Sequence, residues 1–236
     1  MTASKPNSPD ALLYGDSALD NHNSVNQRLA QLFNLNEHNS QDRNKVEDFI
    51  RERFSATHGA CINIFMPRLL SLRTIHDEMI AAIGLRAAID GRLFLETYLN
   101  RPIESLLQER LGVAIGREEI IEVGNLSTLY PGAARWLIVA VTALLKTEGY
   151  KWVVFTGTPT LRNGFHRLGL RPVELGKATI HHLPAHERAM WGNYYDHSPM
   201  VMAGDIEHGY HSLLMQRDLT NLLRGGISSV EGDLQA

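Results

Sequence analysis

The stretch IIEVGNLSTLYPGAARWLIVAVTALL, residues 120–145, constrains the fold more than any other part of the chain. Its first part, residues 120–126, has the apolar and β-branched character of a short strand. A loop at residues 127–132 leads to a strongly apolar helical pattern from about residue 133 to residue 147. Pro131 suits the start of that helix, and Gly149 its end. A strand that passes directly into a long helix predicts an α/β fold.

Apolar periodicity predicts further elements on both sides of this stretch. We predict helices at about 45–59, 102–112, 160–170 and 212–223, strands at 61–72, 78–89, 151–158 and 199–206, and a short segment at 92–100. Residues 1–40 are polar and predict a loose N-terminal arm with a short helix around residues 25–33, followed by one domain over residues 41–236. The alternation of strands and helices predicts a mixed, strongly twisted central sheet flanked by helices.

Composition and absent motifs exclude several classes of protein. The formal charge of −3 gives no indication of nucleic-acid binding, and the single Cys61 cannot form an internal disulfide. The N-terminus has no apolar signal core, and the longest apolar run is too short to span a bilayer. The chain contains no GxGxxG, P-loop, GxSxG or HExxH pattern, and its histidines lack the spacing of metal ligands. We therefore expect a cytoplasmic protein without an integral membrane segment or a metal site.

The junction between the predicted strand and helix is suited to bind an anion. The N-terminus of a helix presents unpaired N–H groups, which favour a phosphate. Gly132, Ala133 and Ala134 would let a ligand approach the backbone closely, and Arg135 adds a positive charge. A tight connection without a ligand is the alternative that these residues leave open.

Two neighbouring motifs resemble known elements of the GNAT acyltransferase superfamily. Gly132-x-Ala134 after a strand resembles the loop that binds the donor's pyrophosphate, and NGFHRLGL, residues 163–170, resembles the helix that follows the next strand. A wider set of motifs is similar to the thermostable hemolysin family: FMPRLL (65–70), RLFLETYLN (92–100), EVGNL (122–126), PGAARWLI (131–138), WVVFTGTPTLRNGFHRLGL (152–170), WGNYY (191–195) and AGDI (203–206). This resemblance implies a GNAT-like fold, similar in outline to acyl-homoserine-lactone synthases.

The resemblance implies an acyltransferase that moves an acyl group from a coenzyme A or acyl-carrier-protein thioester to a small amine or amino acid. The thioester would be a co-substrate, with no permanently bound cofactor; a carrier-protein partner and a homodimer stay open. A membrane-active haemolytic or lipid-binding protein without catalysis is the alternative function. The sequence departs from the GNAT pattern at Leu129, where Gln or Arg is usual, and at Phe165, where many members have a catalytic Tyr. Tyr194 or Tyr195 could supply that hydroxyl, although packing explains both equally well.

The site residues follow from the predicted strand and the resemblance. Glu122 is the candidate base, with an ion pair to Arg86 or Arg135 as its alternative role. Strict alternation would place Glu122 and Gly124 on one face of the strand and Val123 and Asn125 on the other. Asn125 is the second catalytic candidate, as a group that orients the acceptor or a carbonyl. We expect the donor to contact Val123, Gly124, Leu126, Arg162 and Asn163 as well as residues 132–135, and we expect Arg86 and Glu96 to shape the acceptor pocket.

Overall fold

The computed structural model describes residues 33–37 and 42–215. The strands are β1 (Phe33–Glu37), β2 (Arg68–Thr74), β3 (Met79–Ala87), β4 (Ile120–Thr128), β5 (Trp152–Gly157), β6 (Val173–Lys177) and β7 (Met200–Asp205). The helices are α1 (Arg43–His58), α2 (Ile103–Leu111), α3 (Pro131–Thr147), α4 (Pro159–Arg167), α5 (Ala185–Arg188) and α6 (Ile206–Leu214). Short 3-10 turns lie at Ala88–Asp90, Leu95–Tyr98, Arg117–Glu119, Ile180–His182, Ala189–Trp191 and Tyr194–His197.

The described strands form one seven-stranded sheet in the order β1-β2-β3-β4-β5-β7-β6. All neighbouring strands are antiparallel except β4 and β5, which are parallel. A parallel pair needs a crossover, and α3 supplies it between these two strands. The prediction of a mixed sheet flanked by helices is confirmed.

Strands β4 and β5 part from each other after a short region of pairing, which creates a fork. Ile120 to Val123 pair with Trp152 to Phe155, and the pairing ends there. The rest of β4 pairs with β3 alone. Among the described residues, the backbone of β4 beyond Val123 therefore has no strand partner on its β5 side.

A bulge in β4 lies at this fork. Ala82 pairs with Ser127 and Gly84 with Gly124, so β4 has one residue more than β3 between these pairs. Asn125 lies in the bulge with a φ of 52°. Its side chain turns towards segment 64–66, the same segment that a Cβ on Gly124 would contact. The prediction of opposite faces for Gly124 and Asn125 is wrong, because a bulge interrupts the alternation of side chains.

The sheet separates two apolar layers. On one face, α1 and α2 bury Val46, Ile50, Ile103 and Leu107. An aromatic cluster packs with them, formed by Phe54, Phe94, Tyr98, Trp191, Tyr194 and Tyr195. On the other face, α3 and α6 pack together and bury Leu137, Val141, Ile206 and Leu213, among others. The fork in the middle of the sheet thus lies between two rigid layers.

Several predicted boundaries differ from the structure. Residues 61–67 were predicted as part of a strand, but β2 begins only at Arg68. The chain before it instead bonds to loops and side chains, as in the N–H of Cys61 that donates to the Met190 carbonyl. Strand β6 was not predicted, and α6 begins at Ile206 rather than near residue 212.

The predicted arm also ends earlier than expected, because Phe33–Glu37 pairs with β2 as an edge strand. The predicted helix at residues 25–33 lies outside the described residues, apart from Phe33, which is in β1.

Candidate active site

A large cavity of about 1120 Å³ opens at the fork. The parted ends of β4 and β5, the start of α3, the length of α4 and the aromatic cluster beside α1 all contribute to its walls. The predicted site residues Arg86, Glu122, Val123, Gly124, Asn125, Leu126, Ala134 and Arg135 are among its lining residues. Ligands preferentially occupy cavities of this kind, which are mostly apolar with a few polar groups.

The N-terminus of α3 forms one end of the cavity. Pro131 occupies the first turn, and Tyr130 precedes it without a side-chain cap for the helix. Gly132 is exposed at the surface and Ala133 is fully buried, and neither is part of the cavity wall, which Pro131 and Ala134 line on either side of them. The backbone at Gly132 is thus open to a ligand, and the expected contact with Ala133 can involve only its backbone.

Arg135 lies one turn further along α3 and lines the cavity. Its Nε atom is buried and has no hydrogen-bond partner among the residues that the structure describes. A buried donor without an acceptor is costly, and an anionic ligand would relieve that cost. The loop and Arg135 together form a positively polarised end of the cavity.

Glu122 lies near the fork, on the paired part of β4, and is only 2% exposed. The N–H of Phe94 donates to Oε2 and the N–H of Leu95 to Oε1, both over 2.8 Å. Burial raises the pKa of Glu122 to about 7, although these two N–H groups and the charge of Arg86 lower it. Each carboxylate oxygen keeps a second lone pair, so Glu122 can still accept a proton or a hydrogen bond.

The proposed ion pair of Glu122 is absent from the described part of the chain. Arg86 is opposite Glu122 in the register of β3 and β4, but its guanidinium donates to the carbonyl of Arg92 over 3.2 Å. The Nε of Arg135 donates to no described residue, and the carboxylate of Glu122 accepts instead from the N–H groups of Phe94 and Leu95. The alternative interpretation of Glu122 as half of a buried salt bridge is therefore wrong.

The amide of Asn125 fixes the bulge to the neighbouring chain. Its Oδ1 accepts from the N–H of Met66 over 2.8 Å, and its Nδ2 donates to the carbonyl of Ile64 over 3.1 Å. Asn125 lines the cavity, but both ends of its amide are already bonded to the backbone. These contacts hold the backbone of β4 in its parted path.

Glu96 was predicted to shape the acceptor pocket, but the structure gives it a different role. It is buried and pairs with Arg117 over 2.8 Å, and it also accepts from the N–H groups of Leu93 and Ile103. Burial alone would raise the pKa of Glu96, but Arg117 and the two N–H groups outweigh it and hold the pKa below its ordinary value. Glu96 is not part of the cavity wall and organises the chain that carries Phe94 and Leu95.

Arg162 and Asn163 were predicted to contact the donor, but the structure places both outside the cavity. Arg162 forms an ion pair with Glu174, and Asn163 is exposed. Neither residue lines the cavity, although their neighbours Leu161 and Gly164 do. The periodicity of α4 places them on the outer side of the helix, away from the fork.

An aromatic wall lies opposite α3, and the sequence had suggested only one of its members, Tyr194, as a possible source of a hydroxyl. His58, Trp191 and Tyr194 line the cavity there, with ring centroids 5.2 Å apart for His58 and Tyr194 and 5.6 Å for Trp191 and Tyr194. Burial lowers the pKa of His58, with an opposing effect from Asn193 and a further lowering from His197. The WGNYY motif was the available signal, but the sequence could not show that it faces β4.

Within residues 33–37 and 42–215, no group of three His, Cys, Asp or Glu side chains could hold a metal ion. In the same ranges, no helix has both the length and the apolar character needed to cross a membrane.

Comparison with protein families and solved structures gives a consistent result. The family model described as "Thermostable hemolysin" matches residues 36–210. No curated protein matches the chain. The crystal structure of TofI in an apo form has a TM-score of 0.52 at 12% identity and covers 79% of this chain and 99% of its own.

FeeM, an N-acyl amino acid synthase from uncultured soil microbes, has a TM-score of 0.51 at 14% identity, with coverage of 78% and 97%. A GCN5-related N-acetyltransferase from Kribbella flavida is more distant, with a TM-score of 0.45 at 14% identity and coverage of 75% and 99%. At these identities the matches concern the fold, and the prediction of a GNAT-like fold is confirmed.

Proposed function

Because this chain belongs to the thermostable hemolysin family and has a GNAT-like fold, we propose that it transfers an acyl group from a thioester to a small amine or amino acid. The observation that carries the proposal is the position of Glu122. Its buried carboxylate lies in the wall of a large cavity whose other end is the open N-terminus of a helix. A base and an anion site in one cavity are what this transfer requires.

The donor is proposed to lie with its phosphates at Gly132 and Arg135 and its thioester arm in the fork. The N–H groups in the first turn of α3 and the guanidinium would hold the phosphates. The arm would meet β4 beyond Val123, where the backbone has no β5 partner. Coenzyme A and an acyl carrier protein both present a phosphate and a pantetheine arm, so either donor fits this arrangement.

The acceptor is proposed to approach Glu122 from the side of the aromatic wall. An ammonium group first loses one proton to solvent and becomes a neutral amine; Glu122 would take the second proton, directly or through a water, as the amine attacks the thioester carbonyl. Arg86 lies beside Glu122 and would suit an acceptor with a carboxylate. The amino acid acceptor named for FeeM is consistent with this, and we include amino acids in the proposed class.

Asn125 is proposed to act through the backbone. Its contacts with Ile64 and Met66 hold the bulge, and the bulge separates β4 from β5 where the thioester would bind. Correct placement of the reacting groups can supply an effective molarity of about 10⁵ M or more. The role of Asn125 is thus positioning of the fork.

Donor binding tests the proposal at the phosphate end. Calorimetry with coenzyme A, long- and short-chain acyl-CoAs and acyl carrier protein should give heat of binding for at least one donor. Gly132→Asp places a negative charge where the phosphate would lie and should weaken binding about tenfold or more. Thr147→Asp, at the exposed last residue of the same helix, is the matched control and should bind like the wild type. Equal affinities for both variants would exclude this phosphate site.

Turnover tests the reaction itself. The purified protein is incubated with a bound donor and a panel of amines, amino acids and polyamines, and new amides are detected by mass spectrometry. In the same samples, red cells are exposed to the protein alone and to the completed reaction. Lysis by the protein alone, without any amide product, would favour the membrane-active alternative over acyl transfer.

A further inference from the structure

Acyl transfer from a thioester releases a thiolate, and the chain lacks the usual helix α4 tyrosine to protonate it. Phe165 stands at that position, and its ring packs on Phe155 with centroids 5.0 Å apart. A phenyl ring has no proton to donate. The proton must come from another group that reaches the fork.

The hydroxyl of Tyr194 approaches β5 at Thr156, the residue that follows Phe155. It lies 3.5 Å from the carbonyl oxygen of Thr156. Phe155 is the last residue of β5 that pairs with β4, so Thr156 marks the beginning of the fork. Tyr194 and Phe165 both line the cavity and flank this point.

The hydroxyl of Tyr194 is available for a better partner. An O–H donor at 3.5 Å from its acceptor is well beyond the usual range of about 2.5–3.0 Å. An ordinary tyrosine hydroxyl keeps its proton at neutral pH. Burial and the nearby Tyr195 raise the pKa of Tyr194 further, so it would give up its proton only to the charged sulfur and not before the C–S bond breaks. A sulfur atom in the fork that develops negative charge would be a stronger acceptor than the Thr156 carbonyl.

The other tyrosines in or beside the cavity are already hydrogen-bonded to each other or lie away from the start of the fork. Tyr98 and Tyr195 share a hydrogen bond of 2.5 Å, and Tyr195 does not line the cavity. Tyr130 precedes the first turn of α3, where the proposed phosphate site lies. Tyr194 alone among these four combines a weakly bonded hydroxyl with a position at the fork.

The backbone around Tyr194 is also fixed with little freedom. Gly192 has a φ of 51°, and a Cβ there would lie 2.0 Å from the carbonyl oxygen of His58. The N–H of Asn193 donates to that same carbonyl over 2.9 Å. The end of α1 therefore holds the chain at residues 192–194 against the cavity, and the ring of Tyr194 packs on those of His58 and Trp191.

We propose that Tyr194 is the acid that protonates the leaving thiolate, a role that rests on the acyl transfer proposed above. The amine nitrogen attacks the thioester carbonyl carbon, the new C–N bond forms and the C–S bond breaks. The proton lost by the amine goes to Glu122, and the hydroxyl proton of Tyr194 goes to the sulfur. The phenolate then regains a proton from Glu122 through solvent, so the products are an amide and a free thiol.

A comparison of two leaving groups tests this role. Tyr194→Phe removes only the hydroxyl and keeps the ring, and Tyr195→Phe is the matched control in the same cluster. Wild type and both variants are assayed for kcat/KM with an acyl-CoA and with the 4-nitrothiophenyl ester of the same acid, whose thiolate leaves without protonation. We expect Tyr194→Phe to lose about 10²-fold with the acyl-CoA and to stay within about twofold of wild type with the aryl ester.

Each other outcome has a distinct meaning. Equal losses of Tyr194→Phe with both donors would show that the hydroxyl supports the structure and would overturn the role as acid. Wild-type rates of Tyr194→Phe with both donors would also overturn it, while acyl transfer itself would stand. Absence of turnover by the wild type with every thioester and acceptor would instead refute acyl transfer, and the role of Tyr194 with it.

Discussion

Replacing Glu122 by glutamine removes a buried charge at nearly constant size, and its effect on stability should depend on pH. Burial raises the pKa of Glu122 to about 7 from an ordinary value of 4.5. The folded protein therefore holds this proton more tightly than the unfolded chain does. The resulting stabilisation is fully present below pH 4.5 and is lost as the pH rises through 7.

The pKa shift of Glu122 and its two backbone hydrogen bonds set the expected change in unfolding free energy. A pKa that rises from 4.5 to about 7 corresponds to about 3 kcal/mol of unfolding free energy. Glutamine does not titrate, but it offers one oxygen and one NH₂ to the N–H groups of Phe94 and Leu95. One N–H thus loses its acceptor, at a cost of about 1–3 kcal/mol at every pH. Glu122→Gln should be less stable than wild type at pH 5 and similar or more stable at pH 8.

Urea unfolding of both proteins between pH 5 and pH 8 measures this directly. The stability of Glu122→Gln relative to wild type should improve by up to about 3 kcal/mol across the range, since all other titrating groups are shared. Glu119→Gln is the matched control, because Glu119 is a half-buried partner of Lys151 whose pKa is lowered rather than raised. A difference that stays flat with pH would show that Glu122 is ionised throughout and would refute the reasoning. For a base, turnover should also fall about 10² to 10⁴-fold in the variant.

Two further predictions concern the fold around the site. Gly84→Ala should cost about 1–3 kcal/mol, because its Cβ would lie 2.5 Å from the Cβ of Met66, whereas Gly124→Ala meets only the flexible end of Met66 and should cost less. Thermal unfolding ranks the two variants, and equal costs would contradict the tight packing at Gly84. Arg117→Ala should cost about 3 kcal/mol at pH 7, because it leaves the buried Glu96 without its counter-charge. The pKa of Glu96 is lowered, so that loss should shrink below pH 4.5, and a constant loss in urea unfolding at pH 7 and pH 4 would indicate packing instead.

The elements with strong local patterns were predicted well. The apolar pattern after Pro131 gave α3 to within two residues, because a long amphipathic helix carries its own periodicity. The face of α1 that contains Val46 and Ile50 is buried as predicted, and Gly59 ends that helix with a φ of 60°. In both helices, the apolar residues that give the periodic pattern are also the residues that pack into the core.

Other features depend on distant partners and gave no local signal. Strand β6 is a short strand that pairs with β7 at the edge of the described sheet, so pairing rather than pattern defines it. Residues 61–67 have strand-like composition, but Met66 bonds to the side chain of Asn125 instead of to a strand.

The same holds for the site residues. The pattern of one strand was enough to predict where Glu122 lies. The role of Glu96 depends instead on its ion pair with Arg117, and the role of Tyr194 depends on its position beside Thr156 at the start of the fork. Such contacts join residues that are far apart along the chain.

Within the described sheet, one parallel pairing joins two antiparallel blocks: β1 to β4, and β5 with β7 and β6. Their strands hydrogen-bond to each other at Ile120 to Val123 of β4. A donor in the fork would touch both blocks and act as a brace between them. Donor binding would then stabilise the folded protein: a donor at a hundred times its Kd would add about 2.7 kcal/mol to the free energy of unfolding. Without a donor this contribution would be absent, and the two blocks would lose a link across the proposed binding site.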